Sequence, residues 1–437
     1  MDVPEPTRDT TTATPAMIRA GILLLIALAH LPLLRFGFVL DDGWTIVSNG
    51  FLRYPTHLPR LWEGQAAALG IPDPFRPTLI AFDSVAYGLF GLHARAHHLM
   101  SLLLHLCVCV LIDACLARRG APDMVRYATL AMFGMLGIHA EAVAVISFRE
   151  DLIAAALGLA AVCLATPPTL ASSGSLAPRR PGAAIAALTC MAAATATKLS
   201  AAPLPVFAWL WWTWPRWRPA ARLRVRVPWT ALLALGVALG VLVRWRMSGQ
   251  LLPYDPADPR LTTSPSAPLD LWATGVVITT KVFAQTVLPL GLSPEYTPTP
   301  RSFASPQMIA WVGGSVAIIL GALVLRWRRP ALIIPAMLLA WLVLWLPTSN
   351  VLALPNPRAD RYAYLPSVPI CIALGSLFEV ALARTHCASI LVLEQMDVFN
   401  VAPRWLVVSR AVVGEWQKMV AASHARNRSS CGAFGLH

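Results

Sequence analysis

The sequence predicts an all-α polytopic membrane protein, with about ten membrane-spanning helices and a long first outer loop carrying interfacial helices. Three observations lead there. Of the 437 residues, 57% are hydrophobic and only 13% are charged, well under the roughly 25% charge of an ordinary soluble domain. The apolar residues gather in runs long enough to cross about 30 Å of hydrocarbon as helices. They do not alternate with polar residues over about ten positions, as the strands of a membrane barrel would.

The net charge of +13 is not spread evenly. Arginines stand in short blocks between apolar runs: Arg118, Arg119 and Arg126; Arg179 and Arg180; Arg216, Arg218, Arg222, Arg224 and Arg226; Arg326, Arg328 and Arg329. This is the pattern of cytoplasmic loops under the positive-inside rule. No basic patch is interleaved with aromatic residues, so nucleic acid is not an expected partner.

The runs place spans at 17–35, 98–117, 127–146, 151–166, 183–197, 199–214, 229–245, 308–325, 331–349 and 364–383. With a cytoplasmic N-terminus, every arginine block then falls on the cytoplasmic side. The segment 269–290 is apolar but interrupted by Lys281, Gln285 and Pro289. Counted as a span it would move Arg326, Arg328 and Arg329 outside, so it is expected to be interfacial or re-entrant. Residues 1–16 are expected to be a disordered cytoplasmic N-terminus, 17–383 the membrane domain, and 384–437 a cytoplasmic or undefined tail.

The outer face then holds 36–97, 246–268, 291–307 and 350–363, with two short turns at 147–150 and around Lys198. Within 78–92, Leu79, Phe82, Val85, Ala86 and Leu89 recur at helical spacing and Asp83 falls off their stripe, which predicts an interfacial helix. The eight cysteines show no zinc-site spacing and read as small buried hydrophobes. His97, His98 and His105 have no acidic companion in sequence and read as packed histidines. No metal or cofactor is expected.

Acidic residues are scarce, 22 in all. Asp41 and Asp42 adjoin the outer end of the first span, where a carboxylate at the lipid–water boundary is a candidate proton acceptor or an ordinary solvated helix end. Glu141 lies near the outer end of the third span. A charge at such depth is costly and calls for a partner or a polar cavity; Arg149, across the turn, is the expected partner. For Arg149 and for Asp151 a structural ion pair that pins two helices is an equal reading. Lys198 lies between two apolar runs. Arg361 precedes the last span and has the planar fork that grips phosphate oxygens, although arginine at an interface also anchors to lipid head groups.

These residues lie in a pattern that resembles the transmembrane-and-TPR protein O-mannosyltransferases and their bacterial relatives, polytopic glycosyltransferases of the GT-C class. The pattern covers much of 36–375. It includes Phe38-Val-Leu-Asp-Asp with Asn49 after it, Phe75-Arg76-Pro-Thr-Leu, and Gly91-Leu-His-Ala-Arg-Ala-His97-His98-Leu followed by Leu102-Leu-Leu-His105. It continues in Gly137-Ile-His-Ala-Glu-Ala-Val-Ala-Val-Ile-Ser-Phe-Arg-Glu-Asp-Leu and in Asp360-Arg-Tyr-Ala-Tyr-Leu-Pro-Ser. The chain departs from the family at Leu199, where Lys198 is usually followed by Glu, and at Ala140, where Pro is usual. The tail around Trp416 resembles the opening of a TPR repeat, so 384–437 is expected to be the remnant of a TPR region.

The resemblance implies transfer of a sugar from a polyprenyl-phosphate donor to an acceptor hydroxyl, a protein Ser or Thr, on the non-cytoplasmic face of the membrane; abundant Ala, Arg and Pro suggest a GC-rich bacterial genome and hence an inner membrane. It makes Asp41 and Asp42 the catalytic pair and places Arg361, Glu141, Arg149, Asp151, Lys198 and Arg76 around the substrates. Two rivals stay open: a catalytically inactive membrane scaffold, and a lipid-sugar transporter or flippase, which would show paired halves and charges near mid-membrane.

The arginine alternation yields a topology test. Cysteines placed at positions 57 and 258 should react with an impermeant thiol reagent added outside, and one at 222 should not. Outside labelling of position 222 would overturn the ten-span arrangement.

Overall fold

The computed structural model describes residues 14–63, 71–72, 75–166, 181–213, 217, 223–249, 268–293, 296, 306–329 and 332–398. The readings for residues 1–13, the loop 250–267 and the tail 399–437 fall outside them. The chain divides into two compact units, 1–378 and 379–437. All the candidate site residues belong to the first.

Every regular element among the described residues is helical. The α-helices are α1 (Pro15–His30), α2 (Leu58–Trp62), α3 (Pro77–Phe90), α4 (Ala94–Arg118), α5 (Asp123–Met135), α6 (Ala140–Ala144), α7 (Glu150–Ala165), α8 (Pro181–Thr197), α9 (Leu204–Thr213), α10 (Leu223–Ser248), α11 (Pro268–Val287), α12 (Pro306–Arg328), α13 (Ile333–Trp345) and α14 (Ser367–Val398). Three stretches among them are long and apolar enough to cross a membrane: Pro15–Arg35, Ala94–Arg118 and Arg226–Ser248. A fourth is added if Asp123–Met135 and Gly137–Ala144, bent by 48° at their junction, form one span.

Local chemistry sets these elements. Thr14 caps α1 by accepting a hydrogen bond from the Met17 amide, with Pro15 at the first turn, where its missing N–H costs nothing. The apolar run 127–146 is not one straight helix: Leu136 turns extended, and the chain restarts as a 3-10 turn, Gly137–His139, leading into α6. The run 199–214 is likewise divided into a 3-10 turn, Leu199–Ala201, and the ten-residue α9. Pro203 and Pro205 account for this, because proline is accepted in a first helical turn but not in a helix interior.

Helices α4, α7, α8 and α10 pack closely because small residues line their contacts. On α10, Gly236 and Gly240 stand one turn apart against α8. A Cβ on Gly240 would come within 2.5 Å of the Ala192 carbonyl oxygen and 2.7 Å of the Thr195 Cβ. Gly158 on α7 makes room for Leu204 in the same way. Near the C-terminal end of α4 and the N-terminal end of α5, Arg126 donates two 2.8 Å hydrogen bonds to the carboxylate of Asp113. It also reaches Asp123 at 3.0 Å, and Arg19 of α1 lies 3.8 Å from that carboxylate. The two-point ion pair thus ties α4 to α5, and Arg19 adds α1 to them.

Two local expectations change. In α3 the buried face is Leu79, Ile80, Asp83, Ser84 and Ala86, whereas Val85 and Leu89 are exposed. The apolar stripe misplaced this face, because a buried arginine draws Asp83 inward. Of the two alternatives for 269–290, interfacial or re-entrant, only the second is affected: the segment holds one continuous helix, α11, with no re-entrant break. It packs through Ile278 and Val282 against Trp341, Trp345 and Ala363, the Trp345 indole N–H donates to Thr279 at 2.9 Å, and Lys281 is left exposed.

Candidate functional site

One short segment, Val145–Asp151, gathers the charges. It is the 3-10 turn Ile146–Arg149 running directly into α7. A 3-10 turn projects side chains in three directions rather than along one stripe. Ser147, Phe148, Arg149, Glu150 and Asp151 therefore reach several different partners, with Lys198 shared by the last two, and all five are buried.

Ser147 holds Asp42. Its amide donates to one Asp42 carboxylate oxygen at 2.7 Å, and the Val39 amide donates to the other at 3.0 Å. Asp42 is fully buried and clasps the turn 39–42, in which Leu40 takes a positive φ of 49°. A left-handed non-glycine residue is uncommon and needs surrounding structure to hold it, and the two Asp42 contacts supply that. Asp41 differs from its neighbour. Its backbone carbonyl accepts from the Thr45 amide and hydroxyl, while its carboxylate, half-exposed, has no hydrogen-bond partner among the described residues.

Arg149 is fully buried and pairs with Asp83 of α3, not with Glu141. Its Nε donates to Asp83 at 2.8 Å, and a terminal nitrogen lies 2.7 Å from the same oxygen. Its other terminal nitrogen lies 3.3 Å from His97 Nδ1, and the guanidinium stands over the Phe82 ring. The expected Arg149–Glu141 pair is thereby corrected: across the turn, Arg149 turns toward the interfacial helix because α3 offers it a carboxylate and an aromatic face together. Burial raises the Asp83 carboxyl to about 6 against the opposing pull of Arg149.

Glu141 is instead the partner of Arg361. One carboxylate oxygen accepts the Arg361 backbone N–H at 2.9 Å and the other accepts from its guanidinium. The guanidinium lies 3.7 Å from the Phe148 ring centroid and 5.2 Å from that of Tyr362, a stacked geometry suited to arginine. Glu150 pairs with Arg76 and lies 3.0 Å from Lys198, which reaches Asp151 at 2.6 Å. Lys198 also lies 5.2 Å from the Tyr362 ring. Burial opposes the charge of Glu150, but Arg76, Lys198 and Arg361 outweigh it and hold its carboxyl below the usual value. Burial likewise opposes the charge of Lys198, and Asp151 and Glu150 overcome it.

A second polar group adjoins this one through Asp360, the residue before Arg361. Asp360 accepts from the Tyr296 hydroxyl at 2.7 Å, and Arg358 stacks on Tyr296 while donating to Gln285 at 2.7 Å. The histidines are packed and hydrogen-bonded: His105 meets the Tyr364 hydroxyl at 2.7 Å, His139 the Ser367 hydroxyl at 2.8 Å, His97 the Gly91 carbonyl and His98 the Gly37 carbonyl. Among the described cysteines, Cys109, Cys115, Cys163 and Cys371 are buried and Cys107 is exposed.

Seven of the eight residues singled out from sequence, Asp42, Glu141, Arg149, Asp151, Lys198, Arg76 and Arg361, thus lie on or within one or two contacts of Val145–Asp151. Asp41 joins them only as the neighbour of Asp42. Sequence reasoning left out Asp83, Phe148, Glu150 and Tyr362. Asp83 and Glu150 were visible as two of the few acids in the chain; the two rings carried no signal beyond their motifs. Comparison with protein families, with characterised proteins and with solved structures finds no match to this chain.

A buried ion pair is costly to break from one side only. Asp83→Asn leaves Arg149 with a buried, uncompensated charge and should lower unfolding stability in detergent by about 3–5 kcal/mol. Replacing both partners, Asp83→Leu with Arg149→Met, should recover most of that loss. A double variant no more stable than Asp83→Asn would show that the pair is not what holds α3 in place.

Proposed function

We propose that this chain is a membrane glycosyltransferase of the GT-C kind. It transfers a sugar from a polyprenyl-phosphate donor to an acceptor hydroxyl, a protein Ser or Thr, at the non-cytoplasmic face of an inner membrane, within a ten-span arrangement. The observation that carries the proposal is the convergence on Val145–Asp151. Three partly buried cations, Arg76, Lys198 and Arg361, gather there, and Ser147 of the same segment fixes the turn that presents Asp41. A scaffold of this kind lowers the barrier chiefly by holding donor and acceptor together.

The two adjacent carboxylates have different work. Both Asp42 oxygens are occupied by backbone N–H groups, so Asp42 is the positioning residue. Asp41, with a half-exposed and unengaged carboxylate, is the base. The acceptor oxygen attacks the anomeric carbon as its proton passes to Asp41. The bond from that carbon to the phosphate oxygen breaks, its electron pair leaves with the polyprenyl phosphate, and the configuration inverts. Arg361 and Lys198, flanking Tyr362, balance the charge that grows on the departing phosphate.

General-base assistance contributes about 10²–10⁴ in rate. Asp41→Asn should slow transfer from a polyprenyl-phosphate sugar to a hydroxyl acceptor by that factor while leaving donor binding intact. An inactive scaffold or a flippase would show no transfer for Asp41→Asn to slow; equal transfer by Asp41→Asn and the unaltered chain would remove Asp41 from the mechanism.

A further inference from the structure

Arg361 is held in a way that a purely structural arginine does not need. Glu141 engages it at two points, through the backbone N–H at 2.9 Å and through the guanidinium. The fork is nevertheless only partly used: its Nε is buried and has no hydrogen-bond partner among the described residues. An unsatisfied buried donor costs free energy, and here it lies on a guanidinium with one face 3.7 Å from the Phe148 ring centroid. Beside it, Lys198 and Arg361 both stand 5.2 Å from the Tyr362 ring. Carboxylate and phosphate present the same kind of oxygen pair to an arginine fork, which binds either.

We propose that Glu141 is an internal stand-in for the donor phosphate. It keeps Arg361 oriented and neutralised while the site is empty, and it yields the guanidinium to a phosphate-ester oxygen when the lipid-linked donor enters. The exchange is local. Glu141 keeps the Arg361 backbone N–H on one oxygen, so its carboxylate is not stranded, and the phosphate gains the Nε donor that Glu141 leaves unused. No covalent bond changes. The inference rests on the reading of Arg361 as the donor-phosphate residue and adds that a conserved charge sum is kept at the site by competition. Its signature is a sign: a carboxylate that merely positions Arg361 helps the donor bind, whereas a stand-in opposes it.

The test measures binding of undecaprenyl phosphate to the full chain in phosphatidylcholine nanodiscs, with inorganic phosphate and phosphatidylglycerol as competitors. Glu141→Gln should tighten binding by about tenfold, the lower end of what one charged hydrogen bond contributes. Glu141→Asp, which shortens the reach toward the guanidinium, should tighten it by less, and gives a second variant that retains the charge. With Arg361→Ala also present, the gain should vanish. Unchanged or weaker binding in both Glu141 variants, with Arg361→Ala still weakened, would overturn the stand-in and leave the donor reading in place. Equal binding by the unaltered chain and Arg361→Ala would remove the donor reading and the stand-in together. Competition by phosphatidylglycerol or inorganic phosphate as strong as by undecaprenyl phosphate itself would overturn the assignment to a lipid-linked donor.

Discussion

A charge taken out of water must find an opposite charge or hydrogen-bonding partners, and in an apolar bundle the partners are few. In this chain that constraint falls on the seven residues Val145–Asp151. Arg149, Glu150 and Asp151 are consecutive and buried, so three charges enter the interior within one turn of backbone. Together they recruit two other parts of the chain: Arg149 takes Asp83 from α3, Glu150 takes Arg76 just before α3, and Glu150 and Asp151 share Lys198 just after α8. Phe148 stacks under Arg361, and Ser147 fixes Asp42. Without the pairing, the turn could not be buried; without the turn, residues more than 200 positions apart, such as Glu141 and Arg361, would lack a common floor.

The apolar framework makes this affordable in space. Gly236 and Gly240 bring α10 against α8, and Gly158 lets α7 accept Leu204 of α9, while Lys198, just past the end of α8, reaches Asp151 of α7 directly. Glu141 meets Arg361 from α6, just past the 48° bend that follows α5. Small residues and a broken span are thus parts of the charge arrangement as much as of the packing.

Much of this could be read from the residues in order. Long apolar runs announced helices, and the scarcity of acids made Asp42, Glu141 and Asp151 conspicuous. What could not be read was the pairing. Arg149 is eight residues from Glu141, and nearness in sequence suggested the pair; the partner chosen is 66 positions away, on a helix whose apolar stripe pointed elsewhere. Stripe reasoning assumes that buried means apolar, and Asp83 is the residue for which that assumption fails. The different surroundings of the Asp41 and Asp42 carboxylates were also hidden, because they depend on which of the two meets the Ser147 amide across 105 positions of chain. Helix lengths were overestimated where prolines divide an apolar run, as at Pro203 and Pro205, or where Leu136 turns extended.

On the proposed reading, this network of charges is a phosphate-binding centre and not only a brace. The most direct measurement is a cryo-electron microscopy map of the full chain in nanodiscs saturated with undecaprenyl phosphate. The account predicts phosphate density beside Tyr362, between the Arg361 guanidinium and the Lys198 ammonium, with Asp41 facing the same space. Lipid phosphate found only at the arginine blocks between spans, with the Arg361–Glu141 pair unchanged, would contradict it.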